Sequence, residues 1–468
     1  MNNFWPKKPF SIAIIGGGLA GLSLARGLLR RGISCQVFEA APAFADIGAG
    51  LSFALNSLEA LKAVDPDSYE CFLKRCNEMS EKEDVYMTYR DGNAVDNHPV
   101  TTLYCKGSGQ QAVHRTLLVK DMVSLMPEGT WHMDKRLTSI EENPSGGVTL
   151  GFEDGTKSDA DAVIGADGIK SRTRQILLGE DNPDAKPKYS GEFGYRSLVP
   201  MDKATEVLGE NFAKNGNVNI SDGALTTTYP VEKGTMLNVV AARDQPTWDD
   251  PSWVIPANKE MVEREFKESG PQIQKVVSLL ENPQKWSLWH HPDATTFYRG
   301  RFCIIGDAAH AATPHQGAGA GQAFEDALVL ARLLADDNIK TADDIETAFA
   351  AFDAIRRPRT LKIVDTSREN GEICMKKGEE TGGDLEKIKN NLEHRFNWIW
   401  YDNLEGQVDQ AKEKLKDLKG PEFEEDRRSP SQREALDEST LEASYRPAIL
   451  RNESFSQLGS PANPVVKV

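Results

Sequence analysis

The chain lacks the marks of several protein classes. Its six cysteines (Cys35, Cys71, Cys76, Cys105, Cys303 and Cys374) are scattered, with no Cys-x-x-Cys among them. That excludes a zinc ribbon or dithiol redox centre and reads as the reduced thiols of an intracellular protein. No apolar run approaches the ~20 residues of a membrane span. The N-terminal run Ile12–Ile15 passes straight into glycines, too short for a secretory leader. The ending "VVKV" is no targeting signal, so a cytoplasmic location is expected. Basic charge is also short: 55 Lys and Arg against 71 Asp and Glu give a net charge of −16. Nucleic acid and anionic membranes are therefore excluded as main partners. No internal repeat is present.

What remains is an ordinary globular composition over 468 residues, 39% hydrophobic and 27% charged, enough for two or three domains. Residues 11–39 read as strand, glycine turn, helix and strand, a βαβ unit. Residues 85–98 suggest a hairpin around Asp91-Gly92, and 115–126 a helix. Strands are expected in "GVTLGFEDGT", turning at Asp154-Gly155, and in "DAVIGADG". Residues 190–245 alternate like an antiparallel sheet with a turn at Glu232-Lys233-Gly234, and 258–281 are helical. After Arg359 the character changes. Residues 381–418 read as a helical segment docking through "FNWIWYDN", and 421–468 as a mobile tail rich in charge, Pro and Ser.

Two glycine clusters carry the chemistry. Gly16-Gly17-Gly18-Leu19-Ala20-Gly21 matches G-x-G-x-x-G between a strand and a helix, and Glu39 ends the next strand. Gly16 serves the tight turn, Gly18 the approach of a pyrophosphate, Gly21 close helix packing, and Glu39 a ribose. The bland alternative is a tight strand–helix turn with no ligand. The motif fixes an adenine dinucleotide without choosing NAD or FAD.

The second cluster, "RFCIIGDAAHAATPHQGAGAGQAFEDA", puts Asp307 at the carboxyl end of a strand and a glycine loop before a helix. Asp307 suits a ribityl or ribose hydroxyl. The helix start suits negative charge, such as that on the N1–C2=O edge of a reduced flavin. Between the clusters, Asp167-Gly168 ends a strand and reads equally well as a plain turn. Asp307, His310 and His315 share no helical face, so no metal is expected. His310 reads as a partly buried histidine bonded to backbone.

G-x-G-x-x-G, Asp-Gly and Gly-Asp-Ala-Ala-His in this order resemble the flavoprotein aromatic hydroxylases, single-component FAD-dependent monooxygenases, over residues 10–370. The salicylate-hydroxylase-like branch is most similar. The resemblance implies an α/β fold: a Rossmann-type FAD-binding domain, an inserted antiparallel-sheet substrate domain as in 4-hydroxybenzoate hydroxylase, and a C-terminal helical segment. The expected bounds are 8–72, 100–180 and 285–370 for FAD, 73–99 and 181–284 for substrate, and 371–420 for the helical segment.

The resemblance assigns Gly16, Gly18, Gly21, Glu39, Gly50, Arg115, Asp167, Asp307, Gly317, Ala318, Gly319 and Ala320 to FAD. It places Pro314 near the flavin C4a with its carbonyl facing the oxygen adduct. Arg196 and Tyr229, on strands between the FAD segments, are the candidates for holding the substrate anion and its phenolic oxygen. The implied reaction hydroxylates a phenolic ring with O₂ and NADH or NADPH through a flavin C4a-hydroperoxide, in a monomer or homodimer. The ring is salicylate-like or belongs to a larger aromatic polyketide or other secondary metabolite. A non-catalytic flavoprotein and an NAD-dependent dehydrogenase are the competing readings; the latter leaves the second glycine cluster unexplained. A second dinucleotide motif is missing, so the reductant docks transiently. Two departures from the family are Leu55-Asn56, where Pro-Asn is frequent, and Thr228, where His often precedes Tyr-Pro.

Overall fold

Short apolar strands with glycine at their carboxyl ends build the first layer. In the computed structural model, which describes residues 7–42, 50–76, 84–144 and 146–420, Ser11–Ile15 pairs in parallel with Ser34–Phe38 and Ala162–Gly165. Ala162–Gly165 pairs in parallel with Phe302–Ile304. Trp131–His132 and Tyr298–Arg299 complete a six-stranded sheet. The strands are nearly continuous Ile, Val and Ala because helices cover the sheet, as parallel sheets require. The helices Leu19–Arg30 and Gly319–Leu334 share one core with them.

A second sheet has eight strands in the order Val254–Pro256, Gln284–His290, Lys188–Pro200, Met236–Asp244, Ala224–Val231, Asn217–Ser221, Val85–Asp91 and Pro99–Tyr104. It is antiparallel except where Asn217–Ser221 runs parallel to Val85–Asp91, so the expected sheet is mixed at that one junction. Strands Pro99–Tyr104 and Gln284–His290 also carry it past the expected edges at 99 and 284.

Alternation gives this sheet two different faces. Phe193, Tyr195, Val199, Leu237, Val239 and Ala241 are buried beneath the helical residues Val262, Phe266, Ile273 and Val276. The opposite face carries Arg196, Thr227, Val240 and Trp286, all only half-buried.

Three local expectations need correction. The Asp91-Gly92 pair is no tight turn, because the strands are Val85–Asp91 and Pro99–Tyr104. Gly92 is small because a Cβ there would lie 2.8 Å from the Ile220 carbonyl oxygen and 2.6 Å from Ile273 Cδ1. Residues 258–281 form two helices, Lys259–Glu265 and Pro271–Ser278. No break occurs at Arg359 or at 370/371, since one helix runs Ile345–Cys374 with Pro358 inside it. The turn at Glu232-Lys233-Gly234 is present, with φ of 51°, 57° and 79°.

The aromatic patch docks as expected: Trp400 lies 4.7 Å from the Tyr86 ring and stacks on Phe396 at 4.9 Å. The chain divides into Met1–Leu418 and Lys419–Val468; everything described here belongs to the first unit. The expected tail at 421–468 lies outside the described residues.

Candidate active site

The first glycine cluster has three glycines with three different surroundings. Gly16 has φ +105°, and a Cβ there would meet the Ala166 carbonyl oxygen at 2.3 Å. At Gly21 a Cβ would meet the Gly16 carbonyl oxygen at 2.0 Å. Gly18 faces open space, with nothing within 4 Å of a Cβ. One glycine thus turns the chain, one lets the helix touch the turn, and one leaves room for a ligand. Glu39 braces the turn, accepting from Gly17 N at 2.7 Å and Ala41 N at 2.8 Å. Each carboxylate oxygen keeps a second acceptor position.

Gly306 brings the second cluster against the first. Its φ is +57°, and a Cβ there would lie 2.8 Å from Ala20 Cβ. Asp307 is exposed beside this contact, with no hydrogen bond among the described residues. Its Oδ1 stands 3.8 Å from a Cβ built on Gly319. Two helices start here, Leu19–Arg30 and Gly319–Leu334, and neither has a side-chain cap. Their first-turn N–H groups are therefore available to a ligand. An open cradle at Gly18, a free carboxylate and two uncapped helix starts fit a dinucleotide whose pyrophosphate and ring edge need N–H donors.

Behind the loop lies a buried charged network that the glycine pattern does not announce. Asp326 accepts from Gly306 N at 3.0 Å, His310 Nε2 at 2.6 Å and Arg356 Nε at 2.8 Å. Glu325 accepts from Asn56, Gln322, Arg356 and Arg359. Burial pushes both carboxyls up, but the guanidinium and imidazole partners win and hold them low, Glu325 at about 2. His310 is thus fixed by a carboxylate, not by the backbone. His315 turns to Glu192 instead, at 2.5 Å. These two histidines diverge from Asp307, and no metal-ligand cluster forms among the described residues.

Other expected cofactor residues fall in two groups. Gly50 pairs with His114, which brings it beside Arg115 at the exposed start of helix Arg115–Val123. Gly317 (φ +61°) abuts Tyr86 Oη, and Ala318 joins the apolar cluster of Tyr86, Leu198 and Tyr229; Ala320 borders the first-layer core. Asp167 differs. Its carboxylate is taken up by Ser171 Oγ, Thr173 Oγ1 and the backbone N–H groups of Arg172 and Thr173 at 2.5–3.0 Å. It caps the helix Arg172–Leu178 and leaves only backbone toward a cofactor.

The catalytic candidates also separate. The Pro314 carbonyl accepts Gly317 N at 3.1 Å, so it closes a turn as well as facing the loop. Tyr229 is buried and donates its hydroxyl proton to the Gly50 carbonyl at 3.0 Å, so that donor is spent on the protein. Arg196 has no hydrogen bond or ion pair among the described residues and lies 5.8 Å over the Trp286 ring. Burial lowers its pKa, the nearby Tyr229 works against that, and the neighbouring Arg115 charge adds to it. Thr228 pairs with Val239 on the helix-covered face, so Thr227, not Thr228, looks into the site. Trp286, Asn238 and Glu192 escaped the sequence reading. Strand parity relative to Arg196 was the available signal for Trp286 and Glu192.

A parallel βαβ layer with two uncapped helix starts, set against a half-open sheet face, defines an FAD-binding oxidoreductase with an adjoining substrate compartment. The comparisons agree. The FAD binding domain family matches residues 10–367, and the chain belongs to it, as an FAD-dependent aromatic monooxygenase. The chain is 41% identical to 6-methylsalicylate 1-monooxygenase of Aspergillus terreus over 405 residues, 85% of this chain and 90% of that protein. It is 35% identical to salicylate hydroxylase of Pseudomonas putida, over 86% of this chain and 95% of that one. A solved salicylate hydroxylase substrate complex superposes with a TM-score of 0.77 at 32% identity, covering 86% of this chain and 98% of the other. Among the described residues no helix is long and apolar enough to cross a membrane.

Proposed function

We propose that the enzyme hydroxylates a small phenolic acid of the salicylate type, with Arg196 anchoring the substrate's carboxylate or phenolate. The observation that carries this is an arginine without an acceptor on the half-open face of the substrate sheet. A buried guanidinium lacking a partner is costly, and an anionic ligand supplies what the fold withholds. The names of the relatives, 6-methylsalicylate 1-monooxygenase and salicylate hydroxylase, favour a ring bearing both a hydroxyl and a carboxylate.

Bound FAD supplies the redox chemistry, taking hydride from NAD(P)H and activating O₂. The chain supplies the rest. In this reading Gly18 and the Leu19 helix start hold the pyrophosphate, Glu39 the ribose, Asp307 the ribityl chain, and the Gly317–Ala320 turn the ring edge. Arg196 favours the ionised ring, while Trp286 and Val240 wall it and the helices behind the sheet keep water out. Tyr229 and Asn238 act one step back, holding Gly50 by its carbonyl oxygen and its N–H. A cytoplasmic location suits the need for NAD(P)H and the free cysteines.

A panel of phenolic acids, scored by stimulated NAD(P)H oxidation and by hydroxylated product, tests the reading. Arg196→Gln should weaken binding of the acid roughly 10- to 150-fold, the loss of a charged hydrogen bond of about 1.5–3 kcal/mol. FAD affinity should stay unchanged. A variant that binds the acid as tightly as the parent removes Arg196 from the site.

A further inference from the structure

We infer that Glu192 is a positioning residue for oxygen transfer: through one hydrogen bond to His315 it registers the substrate sheet against the loop that carries Pro314. The inference rests on the functional reading above for its substrate, not for its geometry. Glu192 is 6% exposed and lies on strand Lys188–Pro200, on the same face as Arg196 and four residues before it, about 13 Å along the strand. Its Oε2 meets His315 Nε2 at 2.5 Å, and the two side chains are 8% and 3% exposed. Among the described residues this is the only side-chain hydrogen bond or ion pair between that strand and residues 306–321.

The rest of the loop is tied elsewhere. The Thr313 carbonyl accepts Ser367 Oγ at 2.6 Å, the His315 carbonyl accepts Asn370 Nδ2 at 2.8 Å, and Gln316 Oε1 accepts Thr366 Oγ1 at 3.1 Å. All three partners belong to helix Ile345–Cys374. The imidazole is also clamped by close packing, since a Cβ on Gly371 would fall 2.5 Å from His315 Cδ2. The loop is therefore rigid toward the helix and reaches the substrate strand through one imidazole. A leucine–phenylalanine pair would fill the same space without desolvating a carboxylate. The ionisable pair adds direction, a fixed donor–acceptor line where apolar packing would let the layers slide.

The consequence concerns where the oxygen goes. Coupled turnover is ArH + NAD(P)H + H⁺ + O₂ → ArOH + NAD(P)⁺ + H₂O. When the ring is misplaced, the same electrons give NAD(P)H + H⁺ + O₂ → NAD(P)⁺ + H₂O₂. A displacement of an ångström suffices to favour the second outcome.

The test uses FAD-loaded full-length protein with the best phenolic acid, comparing the parent with Glu192→Gln, Glu192→Ala and the apolar double variant Glu192→Leu/His315→Phe. FAD affinity, the visible circular dichroism of bound FAD, product per NAD(P)H and hydrogen peroxide are measured. In Glu192→Ala and the double variant, product per NAD(P)H should fall by about threefold or more with peroxide making up the difference. FAD affinity should stay within about threefold of the parent. The visible dichroism should shift in both.

Glu192→Gln still accepts from the imidazole and should recover at least half of the coupling. Full coupling in the double variant, or equal loss in Glu192→Gln and Glu192→Ala, overturns the proposal. If Glu192→Ala purifies without FAD, the double variant, which leaves no polar group unpaired, decides. A parent that hydroxylates none of the phenols defeats the substrate reading instead. The dichroism then decides alone, and an unchanged spectrum in the double variant overturns the positioning role.

Discussion

Gly18 and Gly21 sit three residues apart in one motif, yet alanine should do opposite things at the two positions. At Gly21 the new methyl would lie 2.0 Å from the Gly16 carbonyl oxygen, so helix and turn must part by well over 1 Å. Both sides of that contact are backbone, and no rotamer relieves it. The cost is that of severe overpacking, about 3 kcal/mol, and it falls on the apoprotein. At Gly18 the backbone is extended (φ −76°, ψ −173°) and nothing lies within 4 Å. Alanine is a poorer N-cap than glycine by roughly 0.5 kcal/mol, which the smaller unfolded-state entropy offsets by a similar amount. The apoprotein should therefore be unchanged within about 0.5 kcal/mol. The methyl then fills the gap kept for a phosphate, and FAD affinity should fall about tenfold or more, at least 1.4 kcal/mol. Thermal unfolding of FAD-stripped protein and fluorescence titration with FAD separate the two effects. If Gly18→Ala lowers apoprotein stability as much as Gly21→Ala, or binds FAD like the parent, the three-role account of the motif is wrong.

Two further outcomes follow from single side chains. Tyr229→Phe leaves the Gly50 carbonyl without its donor and should cost about 1 kcal/mol in stability, with the KM of the phenolic substrate little changed; a large KM rise at unchanged stability would return Tyr229 to the substrate. His291 is 1% exposed and neither ring nitrogen has a well-formed hydrogen bond among the described residues. Burial, then the charges of Arg174, His310 and His290, drive its pKa down to about 2, far below the ~6.5 of the unfolded chain. Below that pH the unfolded state takes a proton the native state refuses, so stability falls as pH drops, by about 1.4 kcal/mol per unit. Chemical denaturation at pH 6.5 and 5 should show that His291→Phe removes about 2 kcal/mol of this loss; an identical slope in parent and variant sinks the assignment.

Much of the cofactor side was legible because its constraints are local. Gly16, Gly18 and Gly21 act within one turn and one helix start, so spacing alone separates their roles. Asp307 and the Gly317–Ala320 turn were readable in the same way, as a strand end and a helix start. What escaped was set by pairing across the chain. Glu192 and His315 are 123 residues apart, and nothing near either names the other. The capture of Asp167 was a missed local signal, since Ser171 and Thr173 follow at helix-capping distance. Thr228 was misplaced for a simpler reason: parity puts it opposite Tyr229 in any strand. The helix through Arg359 was hidden by its charges and Pro358. It continues because Ile363, Val364 and Ile373 still meet apolar surface beyond the proline, and packing outweighs local propensity.

The buried network behind the glycine loop shows what such charges are for. Arg356 is fully buried with Glu325 at 2.6 Å and Asp326 at 2.8 Å, and ionic groups so placed regain little net stability over an apolar core. An apolar trio would fill the same volume. It would not accept from Gly306 N or hold the His310 ring, and both fix the backbone from which Asp307 projects. The carboxylate of Asp326 thus converts the position of helix Gly319–Leu334 into the position of the strand end at Gly306, twenty residues away in sequence. The same helix supplies the N–H groups expected at the cofactor ring. One rigid body therefore sets both ends of the cofactor site, while a separate link, Glu192 to His315, sets its distance from the substrate sheet. Cofactor affinity and coupling are then separable properties of this enzyme, controlled by different residues.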